Sequence, residues 1–239
     1  MNTRLFQLFY DKLPVKFEDI LPKFDRCFMV TCLTPYYMMG VEKSKNSIYE
    51  EFDVIGSDGF SPLAINKWMG KPKSIRVSFD MSSMAKPVFE SMMKEGHSLY
   101  VLGSAPGDAE KCVGTIKVNF PNIDIAGTHH GFIKDCKQEV VDEIISTGAK
   151  VVIIGMGAPL QDEMAVMLKK SGYIGSVYTC GGFIHQTTEN MISFPEWTNK
   201  YNVRFVYRWF HEKGVFARMP KQILGLICYA WWVLTKCKI

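Results

Sequence analysis

Residues 150–155 (KVVIIG) carry Val and Ile side by side with no polar residue between them. Side chains of a strand alternate between its two faces, so a strand that is apolar at every position is covered on both. Residues 98–103 (SLYVLG) and 176–181 (SVYTCG) read the same way, and 123–126 reads as a shorter strand. Between these runs the apolar period changes from two to about 3.6. Ala109, Cys112, Val113, Ile116 and Phe120 share one helical face. Cys136, Val140, Ile144 and Ile145 share another, in a helix over 135–147 closed by Gly148. Leu160, Met164, Met167 and Leu168 mark a third, opened by Pro159 and ended by Gly172. Strand and helix in alternation predict an α/β protein, a parallel sheet core covered by helices on both faces.

The first half reads similarly. Residues 28–33 (FMVTCL) are a strand, a helix starts near Tyr36, and Val54-Ile55 is a short strand running into Gly56-Ser57-Asp58-Gly59. Residues 75–79 are expected as a further strand and 82–94 as a helix, while 1–27 show no clear period. A chain of 239 residues that is 47% hydrophobic can build one large domain, or one domain with a small appendage. The cysteines are scattered without CxxC pairing and the first residues do not read as a secretory leader, which fits reduced thiols and a cytoplasmic location. No histidine pairs with them at zinc spacing.

The net charge of +4 is unevenly spread. Residues 200–239 hold eight Lys and Arg against Glu212 alone, a local charge of +7, and the rest of the chain sums to −3. A basic end on an acidic body points to an anionic partner: lipid headgroups, phosphates or nucleic acid. Residues 223–235 are uncharged and include Tyr229, Trp231 and Trp232. That stretch is well short of the ~20 residues of a membrane span. Flanked by Lys221, Lys236 and Lys238, it reads either as a segment lying on a membrane surface or as a helix packed on its own core or a neighbouring subunit. The expected division is a core over 1–195, with its site between the N-terminal half and the 98–182 half, and a basic, aromatic appendage over 196–239.

Ligands of open parallel sheets bind beyond the carboxyl ends of the strands. The glycine-rich ends here are residues 103–107 (GSAPG), 155–159 (GMGAP) and Cys180-Gly181-Gly182. Glycine lets a ligand approach the backbone, and a following helix N-terminus favours phosphate. Glycine is also common in such turns, and GSAPG is neither a dinucleotide fingerprint nor a Walker loop, which argues against a nucleotide-cofactor oxidoreductase. Glu163 has the ordinary role of a first-turn acid, complementing the helix dipole, and Gln161 can present an amide to a nucleotide or sugar. Asp58 sits in a Gly-flanked turn that by itself reads as structural. His129-His130 lacks a spaced third ligand, so no metal site is expected.

Taken in order, these segments resemble the WecG/TagA/CpsF family, glycosyltransferase family 26. Residues 155–163 (GMGAPLQDE) are similar to that family's G-x-G-A-P-x-Q-E segment, 102–110 (LGSAPGDAE) to its LGG-x-P-G-x-A-E turn, and 127–132 (GTHHGF) to its G-x-x-x-G-Y/F segment. Ser57-Asp58-Gly59 resembles its P-D-G element, and Arg76 with Asp80 its R-x-x-x-D element. Gly181-Gly182, Pro195 with Trp197, Tyr207-Arg208, Glu212 and Arg218 fall at family spacing, so the resemblance spans roughly 28–220.

The resemblance implies a Rossmann-like fold with a helical, basic C-terminal appendage. It implies inverting, metal-independent transfer of a sugar, N-acetylmannosamine or a relative, from a UDP-sugar to a polyprenyl-diphosphate-linked sugar in surface polysaccharide synthesis. No cofactor is expected. Asp58 takes the general-base role; Thr31, Thr34, Arg76, Gln161, Arg208 and Arg218 bind substrate; Gly103, Gly157, Gly181, Gly182 and His185 bind the nucleotide. The anionic partner becomes the membrane, the protein lying peripherally on the inner face of the plasma membrane. Nucleic acid is not expected, and a homo-oligomer stays open. The chain departs from the family pattern where G-G-x-F-D-F reads Gly181-Gly182-Phe183-Ile184-His185-Gln186, putting His185 in place of a carboxylate. It also has Thr31-Cys32-Leu33-Thr34-Pro35 where the family has T-x-N-P, and Ser193-Phe194-Pro195-Glu196-Trp197 for R-A-P-x-W. The alternative these departures raise is a catalytically weak relative that binds a nucleotide-sugar or a partner protein in a glycan assembly complex.

Overall fold

A computed structural model describes residues 2–70, 73–189, 191, 198 and 219–236. Among them β1 (Cys27–Leu33), β2 (Val54–Ser57), β3 (Ser98–Gly103), β4 (Asp124–His129), β5 (Val151–Gly155) and β6 (Gly175–Thr179) form one sheet in the order β2-β1-β6-β5-β3-β4. Every pairing is parallel. β5 lies between β3 and β6 and is buried at each position, as its unbroken apolar run requires.

Alternate residues feed two separate cores. Leu99, Val101, Val151 and Ile153 face the layer formed by α5 (Ala85–Lys94), α6 (Asp108–Asn119) and α9 (Phe183–Gln186). Tyr100, Leu102, Val152 and Ile154 face the opposite layer. That layer holds α1 (Thr3–Asp11), α2 (Pro35–Gly40), α3 (Asn46–Glu50), α7 (Lys137–Ser146) and α8 (Leu160–Lys170). Crossovers stepping toward β4 run over one face and those stepping back run over the other, the arrangement a single crossover hand produces. Each fully buried Val or Ile of the central strands contributes about 1.5–3 kcal/mol.

Residues 75–79, expected as a strand, pair with no strand of the sheet. The segment instead crosses the carboxyl ends of β1 and β2. The Ile75 amide donates to the Pro14 carbonyl at 2.9 Å, and the Cys32 thiol donates to the Val77 carbonyl at 3.3 Å. The crossing depends on Gly56, where a Cβ would lie 2.2 Å from Val77 Cγ2. α4 (Ser61–Trp68) precedes the segment in sequence and touches the C-terminal helix.

That last helix, α10 (Met219–Lys236), docks against α2, α4 and α1. Gly225 permits the close approach, since a Cβ there would lie 2.6 Å from the Tyr36 backbone nitrogen. Tyr229, Trp232 and Val233 are buried, with Tyr229 edge-on to Phe6 and Phe9 of α1. The Tyr229 hydroxyl donates to Asn66 Oδ1 at 3.0 Å. The expectation of a helix packed on its own core therefore holds for this face. On the other face Ile223, Leu224, Ile227, Trp231 and Leu234 are exposed. Their helical spacing places them in one apolar stripe. Among the described residues no helix is long and apolar enough to cross a membrane.

Candidate functional site

A cavity of about 250 Å³ opens where β1, β2 and β6 end. Its position follows from chain direction: in a parallel sheet all carboxyl ends share one edge, and the loops leaving them build the site. β2 delivers Asp58, and the crossing segment delivers Arg76, Ser78 and Asp80. The start of α8 delivers Gln161, and β6 runs into Thr179, Cys180, Gly181 and Gly182. Cys32, Phe79 and Phe183 form the apolar wall, and Gln186 of α9 adds a second amide.

Asp58 is exposed at the mouth, and Ser78 Oγ donates to its Oδ1 at 2.6 Å. This hydrogen bond engages Oδ1 and not Oδ2. Arg76 Nη2 meets Asp80 Oδ2 at 3.1 Å, both side chains being largely buried. Asp80 Oδ1 in turn accepts from the amide and hydroxyl of Ser82, at 2.9 and 2.6 Å. The guanidinium carries five donors in a planar fork, so its contact with Asp80 orients it and leaves donors for an anion. Gln161 is buried, and its Oε1 accepts from the Gly181 amide at 3.1 Å, holding a turn in which Gly181 has φ +53°. Burial drives the Cys32 thiol far up, with the Asp58 charge adding to the shift, so the cavity cysteine is a neutral wall and not a nucleophile.

Asp58, Arg76, Gln161, Gly181 and Gly182 are thus brought together from distant parts of the sequence. Thr31 and Thr34 are not on the cavity wall. Thr31 is fully buried, donating to Asp162 Oδ1 at 2.8 Å, and Thr34 caps α2 by accepting from the Tyr37 amide at 3.2 Å. Gly103 is not on the cavity wall; it ends β3 opposite Gly155 of β5, so close that a Cβ would stand 2.3 Å from the Gly155 carbonyl oxygen. Gly157, at φ +74°, accepts the Gln161 amide at 3.1 Å as α8 starts. His185 faces α6, where its Nδ1 lies 3.1 Å from Asp108 Oδ2. Ser104 Oγ also meets that oxygen at 2.5 Å, and these hydrogen bonds, Ser104 first and His185 second, hold the Asp108 carboxyl below its usual range. Asp108 stands in the first turn of α6, where an acid complements the helix dipole. Arg208 and Arg218 lie outside the described residues, as does the Pro195–Trp197 element. Glu163 has its ordinary partners, Lys45 at 2.9 Å and Lys137 at 3.9 Å.

Ser78 and Gln186 carried no sequence signal, because only the crossing segment and the short α9 turn bring them to the cavity. Asp162, the residue after Gln161, is fully buried. Burial pushes its carboxyl up to about 7, against the lowering effect of hydrogen bonds from Thr31 and Tyr49. Its signal was faint: Gln161, Met164, Ala165 and Leu168 recur at the period of a buried helical face, which puts the start of α8 against the sheet.

A family model described as the glycosyl transferase WecG/TagA/CpsF family matches residues 2–238. The chain is similar to the UDP-Gal:alpha-D-GlcNAc-diphosphoundecaprenol beta-1,4-galactosyltransferase of Shigella boydii, 31% identical over 205 residues, 83% of this chain and 85% of that protein. It is also similar to the N-acetylglucosaminyldiphosphoundecaprenol N-acetyl-beta-D-mannosaminyltransferase of Bacillus spizizenii, 23% identical over 197 residues, 79% of this chain and 75% of that protein.

Proposed function

The chain belongs to the WecG/TagA/CpsF family and is a glycosyltransferase, and from that premise we propose an inverting, metal-independent transfer of a sugar from a UDP-sugar to a polyprenyl-diphosphate-linked N-acetylglucosamine. The observation that carries the reading is the meeting of Asp58, Arg76 and Gln161 at one cavity beyond the strand ends. The relatives' names supply the substrate classes: both name a diphosphoundecaprenol-linked N-acetylglucosamine, and one names UDP-Gal.

Inversion by a single displacement needs one base on the acceptor side and charge stabilisation on the leaving-group side. Asp58 has an oxygen free of the Ser78 hydrogen bond to take the acceptor hydroxyl proton as attack begins. Arg76 serves the departing diphosphate with its remaining donors, in the role a metal plays elsewhere. Arg208 and Arg218, by family resemblance, add to it. Gln161, whose Oε1 is taken by the Gly181 amide, presents its NH2 group to the donor beside the Gly181-Gly182 turn. His185 pairs with Asp108 away from the cavity, so the departure at that position leaves this wall intact and favours an active enzyme over a weak relative.

The acceptor lipid places the reaction at a membrane. The apolar outer stripe of α10 and the +7 charge of residues 200–239 support peripheral attachment, on the cytoplasmic face where nucleotide-sugars are made. A panel of UDP-sugars against a short-chain polyprenyl-diphosphate-N-acetylglucosamine, read by UDP release, tests the reading. UDP-galactose is the first donor to try. Acceptor-dependent UDP release with one donor is expected, and release that ignores the acceptor, or none with any donor, sinks it.

A further inference from the structure

Beneath the cavity lies a buried chain of hydroxyls that ends on one carboxyl. Thr179 of β6 donates to Thr31 of β1 at 2.8 Å, and Thr31 donates to Asp162 Oδ1 of α8 at 2.8 Å. From the other side, Tyr49 of α3 donates to Asp162 Oδ2 at 3.2 Å, and its hydroxyl lies 2.8 Å from that of Tyr37 of α2. Each oxygen of Asp162 thus has its own donor, from different layers of the fold. Other charge near the carboxyl is that of Glu163, which is met by Lys45 and Lys137.

We propose that Asp162 is a positioning residue for sugar transfer: it locks β1, β6 and the start of α8 together so that Gln161 and the Gly181-Gly182 turn meet the donor in fixed register. This rests on the UDP-sugar reading above. Adjacency links the carboxyl to the cavity. Thr179, one end of the chain, is itself on the cavity wall, and the turn it leads into is held by Gln161, the residue before Asp162. Burying a carboxyl is expensive, and an apolar residue in a core normally serves stability better. A carboxyl kept here, satisfied from two sides, fixes one arrangement of the three elements. It touches no substrate and acts through Gln161 and Thr179.

Two variants separate positioning from mere stability. Asp162→Asn keeps the shape and one acceptor oxygen but presents an NH2 group where Tyr49 donates. Tyr49→Phe removes that donor by a change in α3 that alters no residue of α8 or of the cavity lining. UDP binding is measured by calorimetry at pH 8 beside thermal melting, and turnover is measured with UDP-galactose and the lipid acceptor. The expected result for Asp162→Asn is UDP affinity and donor kcat/KM lower by about 10- to 100-fold, the scale of a small misplacement of a positioning group. Its melting midpoint should be no lower than that of the wild type, and the acceptor KM should be unchanged. Tyr49→Phe should shift UDP affinity in the same direction by a smaller factor, and it decides the matter if the Asn variant does not fold. UDP affinity unchanged in the variants, or lost only in step with melting, overturns the proposal while leaving the transfer reading intact. A wild-type protein that binds no UDP overturns both.

Discussion

At the scale of single residues, the carboxylates divide by environment. Asp58 is exposed and tied by one hydroxyl, while Asp162 is sealed between two. A side chain that takes the acceptor proton contributes about 10²–10⁴ in rate, so Asp58→Asn should lower kcat by that factor with little change in fold. Arg76→Ala should lower donor kcat/KM by about 10- to 100-fold, the value of one or two charged hydrogen bonds. Arg76→Lys should recover little of it, since an ammonium cannot hold Asp80 and a diphosphate in one plane. For Asp162 the sign runs against the usual carboxylate. Its carboxyl titrates near 7 in the fold and near 3.8 as an ordinary aspartate. Its contribution is fully present below the lower value and is lost as pH rises through the upper one, a decline of about 4 kcal/mol. Denaturant unfolding at pH 5 and pH 8 should show that Asp162→Asn flattens this decline relative to the wild type. Parallel slopes would contradict the buried, titrating carboxyl.

Among the elements, α10 carries the most specific expectation. Its inner face depends on Gly225 meeting α2. Gly225→Leu should lift the helix, lower the melting midpoint and shift tryptophan emission to the red as Trp232 is exposed. Its outer face should be separable. Replacing Ile227 and Trp231 with serine should weaken binding to anionic vesicles in a sedimentation assay while leaving melting unchanged, because both side chains are already exposed. Unaltered vesicle binding would remove α10 as the attachment surface. The strands were legible where the physics is local. The Val/Ile run of β5 admits no half-exposed strand, and Gly148 and Gly172 follow their helices as helix stops do. The segment 75–79 was misread because its apolar residues serve a crossing over β2, which depends on the missing side chain at Gly56. The first helix was hidden because Leu5, Phe6 and Phe9 mark only two turns of buried face.

For the whole molecule, parallel strands put every carboxyl end on one edge, and the crossing segment folds over that edge to complete a cavity from residues far apart in sequence. Asp58, Arg76 and Gln161 were legible through family spacing, since each alone is an ordinary turn or helix-start residue. Ser78, Gln186 and Asp162 were not, because their roles arise from contacts between β1, β2, α3, α8 and α9 that spacing does not encode. On this account the apolar face of α10 holds the molecule at the lipid surface and the cavity performs the transfer there. The most direct test compares wild type with Asp58→Asn, using UDP-galactose and a polyprenyl-diphosphate-N-acetylglucosamine acceptor and reading both UDP release and the anomeric configuration of the lipid product. A β-linked disaccharide lipid is expected from the wild type, with a loss of about 10²–10⁴ in rate for the variant. Equal rates from the two proteins, or a product that retains the donor's α configuration, would contradict it.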